Sequence, residues 1–210
     1  MTYDKERFIK LNVSMRYWLL GMSNQDKSFL LPLKAMEYAK NIHLGVRKDN
    51  ITPEFQHQLE IAHYLRTLYH GLDYPAETLA TCFLHDARED YDIPHQEIES
   101  LFGAVIADAT ELLTKQFKGV KKNTAHYYEE MSKNPITSAM KGADRINNHQ
   151  SMSGVFTKEK QQSYIQETKD YVLPMLKTAR HLFITQEPIY ENIKFVLQSQ
   201  MQFVELSLKS

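Results

Sequence analysis

Apolar residues along this chain recur at helical spacing and never settle into sustained apolar–polar alternation, so packed helices are its route to a core. Only 7 glycines and 7 prolines interrupt the 210 residues, fewer than the turns of a β-sandwich would need. Leu30, Leu31, Leu33, Met36, Tyr38 and Ala39 mark a helix that runs towards His43 and ends near Gly45. HLGVRKDNITPE follows as a loop, and a second helix spans about 54–70, closed by Gly71. Pro75 suits the first helical position of AETLATCFLHDARED, because its missing N–H is not needed there. Leu79, Cys82, Phe83 and Ala87 give that helix a buried side. Helices over about 94–101 and 104–115 come next, and KQFKGVKKN reads as a basic, open connection. Further helices are expected at about 122–132, 135–150, 159–183 and 188–208, with Pro174 kinking or dividing the penultimate one. The predicted fold class is all-α, one domain over residues 1–210 whose helices from about 155 to 208 complete the bundle. An oligomer interface or a cover for a pocket are other uses the pattern leaves open for that region.

Charge narrows the partners. Lys and Arg number 25 against 26 Asp and Glu, so no global field favours a nucleic acid or an anionic membrane. No apolar run approaches the roughly 18–20 residues of a bilayer span. The opening MTYDKERFIK is charged where a signal peptide would be apolar. Cys82 is the single cysteine, which excludes an intrachain disulfide and suits a reducing compartment. These features predict a cytoplasmic protein with no membrane and no stable nucleic-acid partner, and they leave self-association open.

The densest chemistry lies in Leu84-His85-Asp86-Ala87-Arg88-Glu89-Asp90, at the end of an otherwise apolar helix. On a helix, His85 and Asp86 point about 100° apart, so both address one ion only where the helix face meets a cavity. Glu89 follows His85 by four residues and Asp86 by three, hence on the same side. Packing explains such a group poorly, whereas a cation with its water explains it well. A solvated helix end would account for the His–Asp doublet alone, so the rest of the chain decides. His57 stands early on the second helix, and KGADRINN sets Lys141, Asp144 and Asn148 on one helical face, with Ser151 a turn beyond.

These blocks resemble the HD superfamily of metal-dependent phosphohydrolases, and more narrowly the hydrolase domain of RelA/SpoT-type alarmone enzymes and their small stand-alone relatives. AMEYAKNIHLGVRK is similar to the family's opening block, with His43, Gly45, Arg47 and Lys48 in matching places. ETLATCFLHDAREDYDI is similar to its histidine–aspartate block, residues 98–107 and 112–115 to the segment that follows, and KGADRINN to "KLADRLHN". The match runs in order over about 30–152. It implies an HD-domain helical bundle in which His57, His85, Asp86 and Asp144 bind one divalent metal. Manganese is the family's usual ion, with iron or zinc as alternatives for nitrogen and oxygen ligands. The resemblance further implies that Glu89 and Asp90 orient or deprotonate the attacking water. Arg47 and Lys48 match residues that pack beside a guanine base, where a planar guanidinium stacks well. Asn148 matches a nucleotide-binding residue, and Ser151 stands where the family has a small hydroxyl. Lys115, Lys121, Lys122, Lys141 and Arg145 are candidates for phosphate contacts, with a structural ion pair as the alternative for Arg145. Departures from the pattern are Gln58 for a proline, Tyr91 for a threonine, Asn147 for a histidine, and a glycine-free loop at 47–55 where the base pocket forms.

The resemblance implies a small-molecule nucleotide partner and, as function, metal-dependent removal of the 3′-pyrophosphate of guanosine tetra- or pentaphosphate, yielding GDP or GTP and pyrophosphate. An HD-type hydrolase of another nucleotide (a deoxynucleoside triphosphate, NADPH or another 2′- or 3′-phosphorylated nucleotide) is the enzymatic alternative. A catalytically silent nucleotide-binding regulator is a third, and it would predict a broken ligand set or acidic pair, whereas both are intact. His63, His70, His95, His126, His149 and His181 fit no ligand set, His43 is a candidate for the pocket wall, and Cys82 reads as core.

Overall fold

The structure, a computed structural model, describes residues 4–209. In chain order its helices begin with α1 (Lys5–Gln25), α2 (Leu30–Ile42), α3 (Glu54–Thr67), α4 (Pro75–Leu84), α5 (Ala87–Tyr91), α6 (His95–Phe102) and α7 (Ala104–Leu113). A hairpin of β1 (Gln116–Phe117) and β2 (Val120–Lys121) precedes α8 (Thr124–Ser132), α9 (Pro135–Ser151), α10 (Lys158–Glu167), α11 (Leu173–Leu182) and α12 (Glu187–Lys209). The all-α expectation holds apart from this small sheet.

The axis of the bundle is α4. Every residue from Thr78 to Leu84 is buried, because α2, α3, α7 and α9 surround it. Pro75 occupies its first turn, as the sequence predicts. The next most enclosed helix is α9, which packs on α3, α4 and α12 and carries an unusual load of buried polar residues, including Asp144, Arg145, Asn147 and His149. Gly142 lets α12 approach it, since a Cβ there would lie 2.7 Å from Ile193 Cγ2. A second, smaller core of Met152, Ile165, Met201 and Val204 ties α10 and α12 together beneath Phe156 and Tyr164. Helices α11 and α12 pack on α9, and Phe156 and Tyr164 line a cleft.

Three local differences from the sequence expectations have physical causes. Helix α1, capped by the Asp4 side chain on the Arg7 N–H, was not expected, and it buries only Met15, Leu19 and Ser23, too thin a stripe to read. The helix expected through residue 90 breaks at His85 and Asp86, and Asp86 turns to φ −94°, ψ −6° before α5 begins. KQFKGVKKN is a hairpin, its two-residue turn formed by Lys118 at φ 46° and Gly119 at φ 82°, the positive-φ pair that suits strand twist. The helix expected over 159–183 is divided next to Pro174, as the sequence predicts, by a π-type turn at Thr168–Val172. Among the described residues, no helix is long and apolar enough to cross a membrane.

If α4 is the axis, Leu79→Ala lowers unfolding stability by about 2–5 kcal/mol, whereas Lys158→Ala on the exposed face of α10 stays within about 0.5 kcal/mol. Urea denaturation followed by far-ultraviolet circular dichroism measures both.

Candidate metal centre and active site

Three segments bring their donors to one point. His57 projects from α3, His85 and Asp86 from the break after α4, and Asp144 from α9. His57 Nε2 lies 3.2 Å from Asp144 Oδ1 and 3.9 Å from Asp86 Oδ2. His85 Nε2 lies 3.0 Å from Asp86 Oδ2 and 4.0 Å from Asp144 Oδ1. His57, His85 and Asp144 are buried, and their ligand atoms all fall within 4.8 Å of one another. The helix break makes this possible, because adjacent residues on an unbroken helix would diverge by about 100°.

The far side of each donor is tied down. His57 Nδ1 meets Asn147 Oδ1 at 2.7 Å, and His85 Nδ1 meets the Cys82 carbonyl at 2.8 Å. Both partners accept hydrogen bonds, so Nδ1 carries a proton in each imidazole and Nε2 is the nitrogen left to meet a cation at the centre. Lys141 Nζ donates to Asp144 Oδ2 at 2.8 Å, and Asn148 Nδ2 to Asp144 Oδ1 at 2.7 Å. Gln58 Nε2 donates to Asp86 Oδ2 at 3.3 Å. Among the described residues, His85 Nε2 is buried without a hydrogen-bond partner. Two imidazole nitrogens and two carboxylates facing one point fit a divalent cation that takes nitrogen and oxygen ligands.

The electrostatics agree. Burial opposes a charge on His85, yet the Asp86 and Asp144 carboxylates raise its pKa to about 9. Burial likewise penalises the Asp144 carboxylate, but Lys141, then His57 and His85, hold it well below the usual range. Asp86 is lowered too, by His85 and then His57, against its burial. This is a field that asks for positive charge at its centre.

Beside it stand Glu89 and Asp90 on α5. Glu89 Oε2 accepts the backbone N–H of Lys115 at 2.9 Å and of Gln116 at 3.4 Å, so the chain entering the hairpin aims this carboxylate. Burial, followed by the Asp86, Glu89 and Glu54 charges, pushes Asp90 up to about 6. The Tyr91 hydroxyl donates to Glu54 Oε2, and the Tyr91 ring meets His43 edge-on at 4.9 Å. Burial keeps His43 neutral, with its pKa lowered to about 4.

All of this faces a cleft of about 830 Å³. Arg47 and Lys48 form one wall, and Asn148, Ser151, Phe156 and Tyr164 contribute another. Arg47 Nη2 donates to Asn148 Oδ1 and to Ser151 Oγ, both at 3.4 Å, joining three residues that the sequence nominates separately. The Lys48 ammonium sits 5.3 Å from the Phe156 ring centre. Lys115 lines the cleft with its ammonium on Glu167 at 2.8 Å.

Arg145 is placed differently from its expected role at substrate. It is buried behind the centre, donating to the Tyr128 hydroxyl at 3.0 Å and paired with Glu167 at 3.4 Å. The structural ion pair prevails there because its helix face turns towards α8 and α10, away from the cleft. Lys122 donates to the Glu111 carbonyl, and Lys121 lies exposed on β2. Sequence reasoning passed over Glu54 and Glu60, which stand three residues either side of His57 and so share its helical face. It noted Asn147 and Gln58 only as departures. His63, His95 and His149 are engaged elsewhere, with the Leu11 carbonyl, Asp108 and Thr168.

Comparison with known proteins places this geometry. The model of the HD domain family matches residues 35–175. A Synechocystis protein named as a probable guanosine-3′,5′-bis(diphosphate) 3′-pyrophosphohydrolase is 33% identical over 163 residues, covering 74% of this chain and 21% of that protein. The guanosine-3′,5′-bis(diphosphate) 3′-pyrophosphohydrolase of Aquifex aeolicus is 31% identical over 147 residues, covering 68% of this chain and 20% of its own length. The chain thus spans about a fifth of the length of these curated relatives. A solved structure described as a metazoan ortholog of SpoT that hydrolyzes ppGpp superposes with a TM-score of 0.57, at 22% identity, over 77% of this chain and 94% of that one. That likeness establishes a shared fold.

A cation held by this centre binds the folded chain and not the unfolded one, so divalent metal should raise its thermal midpoint. At about 100 times the dissociation constant the gain is about 2.7 kcal/mol. Differential scanning calorimetry should show it for the native sequence, and Asp144→Asn should abolish it.

Proposed function

The chain belongs to the HD domain family, and from that premise we propose that it is a cytoplasmic, manganese-dependent hydrolase that removes the 3′-pyrophosphate of guanosine tetra- or pentaphosphate. One observation carries the reading. The convergent His57, His85, Asp86 and Asp144 donors and the Glu89–Asp90 pair open into one cleft that also holds Arg47, Lys48, Asn148 and Ser151. The names of relatives at 31% and 33% identity point to the same substrate.

In this reading His57, His85, Asp86 and Asp144 hold the ion. When bound, a divalent ion supplies Lewis acidity, which acidifies water and polarises a phosphoryl oxygen. Asp90 receives the proton of the attacking water at a carboxylate oxygen, and Glu89, fixed by the Lys115 and Gln116 amides, orients that water. The water oxygen bonds to phosphorus, the bond between phosphorus and the ribose 3′ oxygen breaks, and that oxygen becomes the 3′-hydroxyl by taking a proton from solvent, while Asp90 returns its own to solvent. Arg47, already arranged by Asn148 and Ser151, presents a planar face on which a base stacks. Lys48 and Lys115 lie within the same cleft for the phosphates.

The deciding assay is pyrophosphate release from guanosine tetraphosphate by metal-stripped protein with manganese restored, beside a panel of other nucleotides. GDP and pyrophosphate are the expected products. Manganese-dependent cleavage of another nucleotide, with none of guanosine tetraphosphate, would keep the centre and overturn the substrate. Glu89→Gln and Asp90→Asn should each lower kcat by about 10²–10⁴-fold while manganese affinity, measured by calorimetry, is retained.

The pH dependence follows from Asp90. Its raised pKa means that the carboxylate forms only as pH climbs towards about 6 in the metal-free chain. A cation beside Asp86 offsets the charges that raise it. The working form is the carboxylate, so kcat/KM should fall as pH drops through an acid limb at or below about 6. A pH–rate profile tests this, and the limb should disappear in Asp90→Asn.

A further inference from the structure

Resting on the reading of His57 as a metal ligand, we propose that Asn147, held by Glu60 and Arg7, is the positioning residue that decides which ring nitrogen His57 offers to the metal. Helix α1 thereby helps to set the metal affinity of the site. The pieces form one continuous chain of contacts. His57 and Asn147 are each 5% exposed, and their side chains meet at 2.7 Å between Nδ1 and Oδ1. On its other side Asn147 Nδ2 donates to Glu60 Oε2 at 2.9 Å. Glu60 Oε1 in turn faces the Arg7 guanidinium at 2.8 Å and accepts from Gln56 Nε2 at 2.9 Å.

The order of these contacts fixes the orientation of the amide. Were the Asn147 amide reversed, its carbonyl oxygen would confront the Glu60 carboxylate, oxygen against oxygen. With Glu60 ionised, only the arrangement that offers Oδ1 to His57 satisfies both ends. Oδ1 can only accept, so the imidazole proton sits on Nδ1 and the Nε2 lone pair faces Asp144 and Asp86. A carboxylate, an amide and an imidazole in series also make that lone pair a better donor, as partners behind metal-bound histidines do. The outermost member comes from α1, which ends at Gln25, whereas the family match begins at residue 35. Arg7 lines the same cleft as the ligands, so this link is exposed to solvent and substrate.

Asn147 also bridges α3 and α9, and a merely structural role would move stability without moving the ligand. The test separates the two. Manganese(II) affinity is measured by calorimetry on the whole chain, and the His57 ring state by ¹⁵N chemical shifts in the metal-free protein. Melting of every metal-free variant checks that it folds. His57→Ala should lose manganese binding. Asn147→Leu should weaken it about 10–100-fold and erase the single Nδ1–H pattern of His57. Asn147→Asp should also weaken it, because the new carboxylate faces Glu60. Adding Glu60→Gln to that variant should restore affinity, since the amide can donate where the carboxylate could not. Arg7→Ala, at a half-exposed position that does not threaten the core, should weaken binding by a smaller factor.

If His57→Ala abolishes binding while Asn147→Leu and Asn147→Asp keep native affinity and the native His57 pattern, the proposal is overturned and the metal centre stands. Unchanged affinity in Arg7→Ala overturns the role of α1. Native manganese affinity in His57→Ala overturns the metal assignment, and the proposal with it.

Discussion

Two carboxylates and two imidazoles crowded together inside an apolar bundle are costly to bury without positive charge among them, and the architecture of this chain is organised around holding them there. Two imidazole nitrogens and two carboxylate oxygens converge within about 4 Å of their neighbours. Nothing in their mutual interaction favours that arrangement at low dielectric without positive charge between them. The restraint comes from behind. Asn147 holds His57, the Cys82 carbonyl holds His85, Gln58 holds Asp86, and Lys141 with Asn148 holds Asp144. These partners sit on α3, α4 and α9, the helices packed most intimately around the core, so the site inherits its rigidity from the bundle. A centre prepared in this way demands little rearrangement when a cation arrives, which is the condition for a tight and geometrically defined site.

The same economy of charge governs the cleft walls. Most cations near the centre are already committed: Lys141 to Asp144, and both Lys115 and Arg145 to Glu167. Glu167 is partly buried, which disfavours its charge, yet Arg145 and then Lys115 hold its pKa down to about 2. Under the proposed reading, phosphates entering the cleft compete with these carboxylates, so a lysine counted in the sequence is not equivalent to a free phosphate ligand. Arg47 differs, because its side-chain hydrogen bonds go to the neutral Asn148 and Ser151 at a length of 3.4 Å, near the limit for such bonds. These contacts can be exchanged for others without breaking an ion pair, as the proposed nucleotide binding requires.

Much of the bundle was legible because its signals are local. Helical spacing of Leu, Met and Ala residues, Pro75 at a first turn and Pro174 at an interruption all act within a few residues of chain. The failures are equally specific. Helix α1 was missed because it lies half-solvated on α3, with a narrow buried stripe. The hairpin after α7 hid because Lys118 and Gly119 in KQFKGVKKN resemble any flexible lysine-rich link, and two short strands carry no periodicity. Arg145 was ambiguous because its neighbours in sequence, Asp144 and Asn148, face the cleft while it turns to Tyr128, Tyr164 and Glu167.

The amino-acid sequence by itself determined the helical class of the protein and its family likeness, and through that likeness it nominated the residues that converge, because helix periodicity and the histidine–aspartate blocks are properties of short stretches. Only the tertiary structure decided how those donors meet. The break at His85 and Asp86 redirects two adjacent side chains to one point, and that break is stabilised by packing around α4 and α5 rather than by any helix-breaking residue. The Asn147–Glu60–Arg7 chain likewise joins three helices distant in sequence, and no local pattern announces it. Spacing along one helix is local chemistry. The convergence of several helices on one ion-sized point is a consequence of burial and long-range packing.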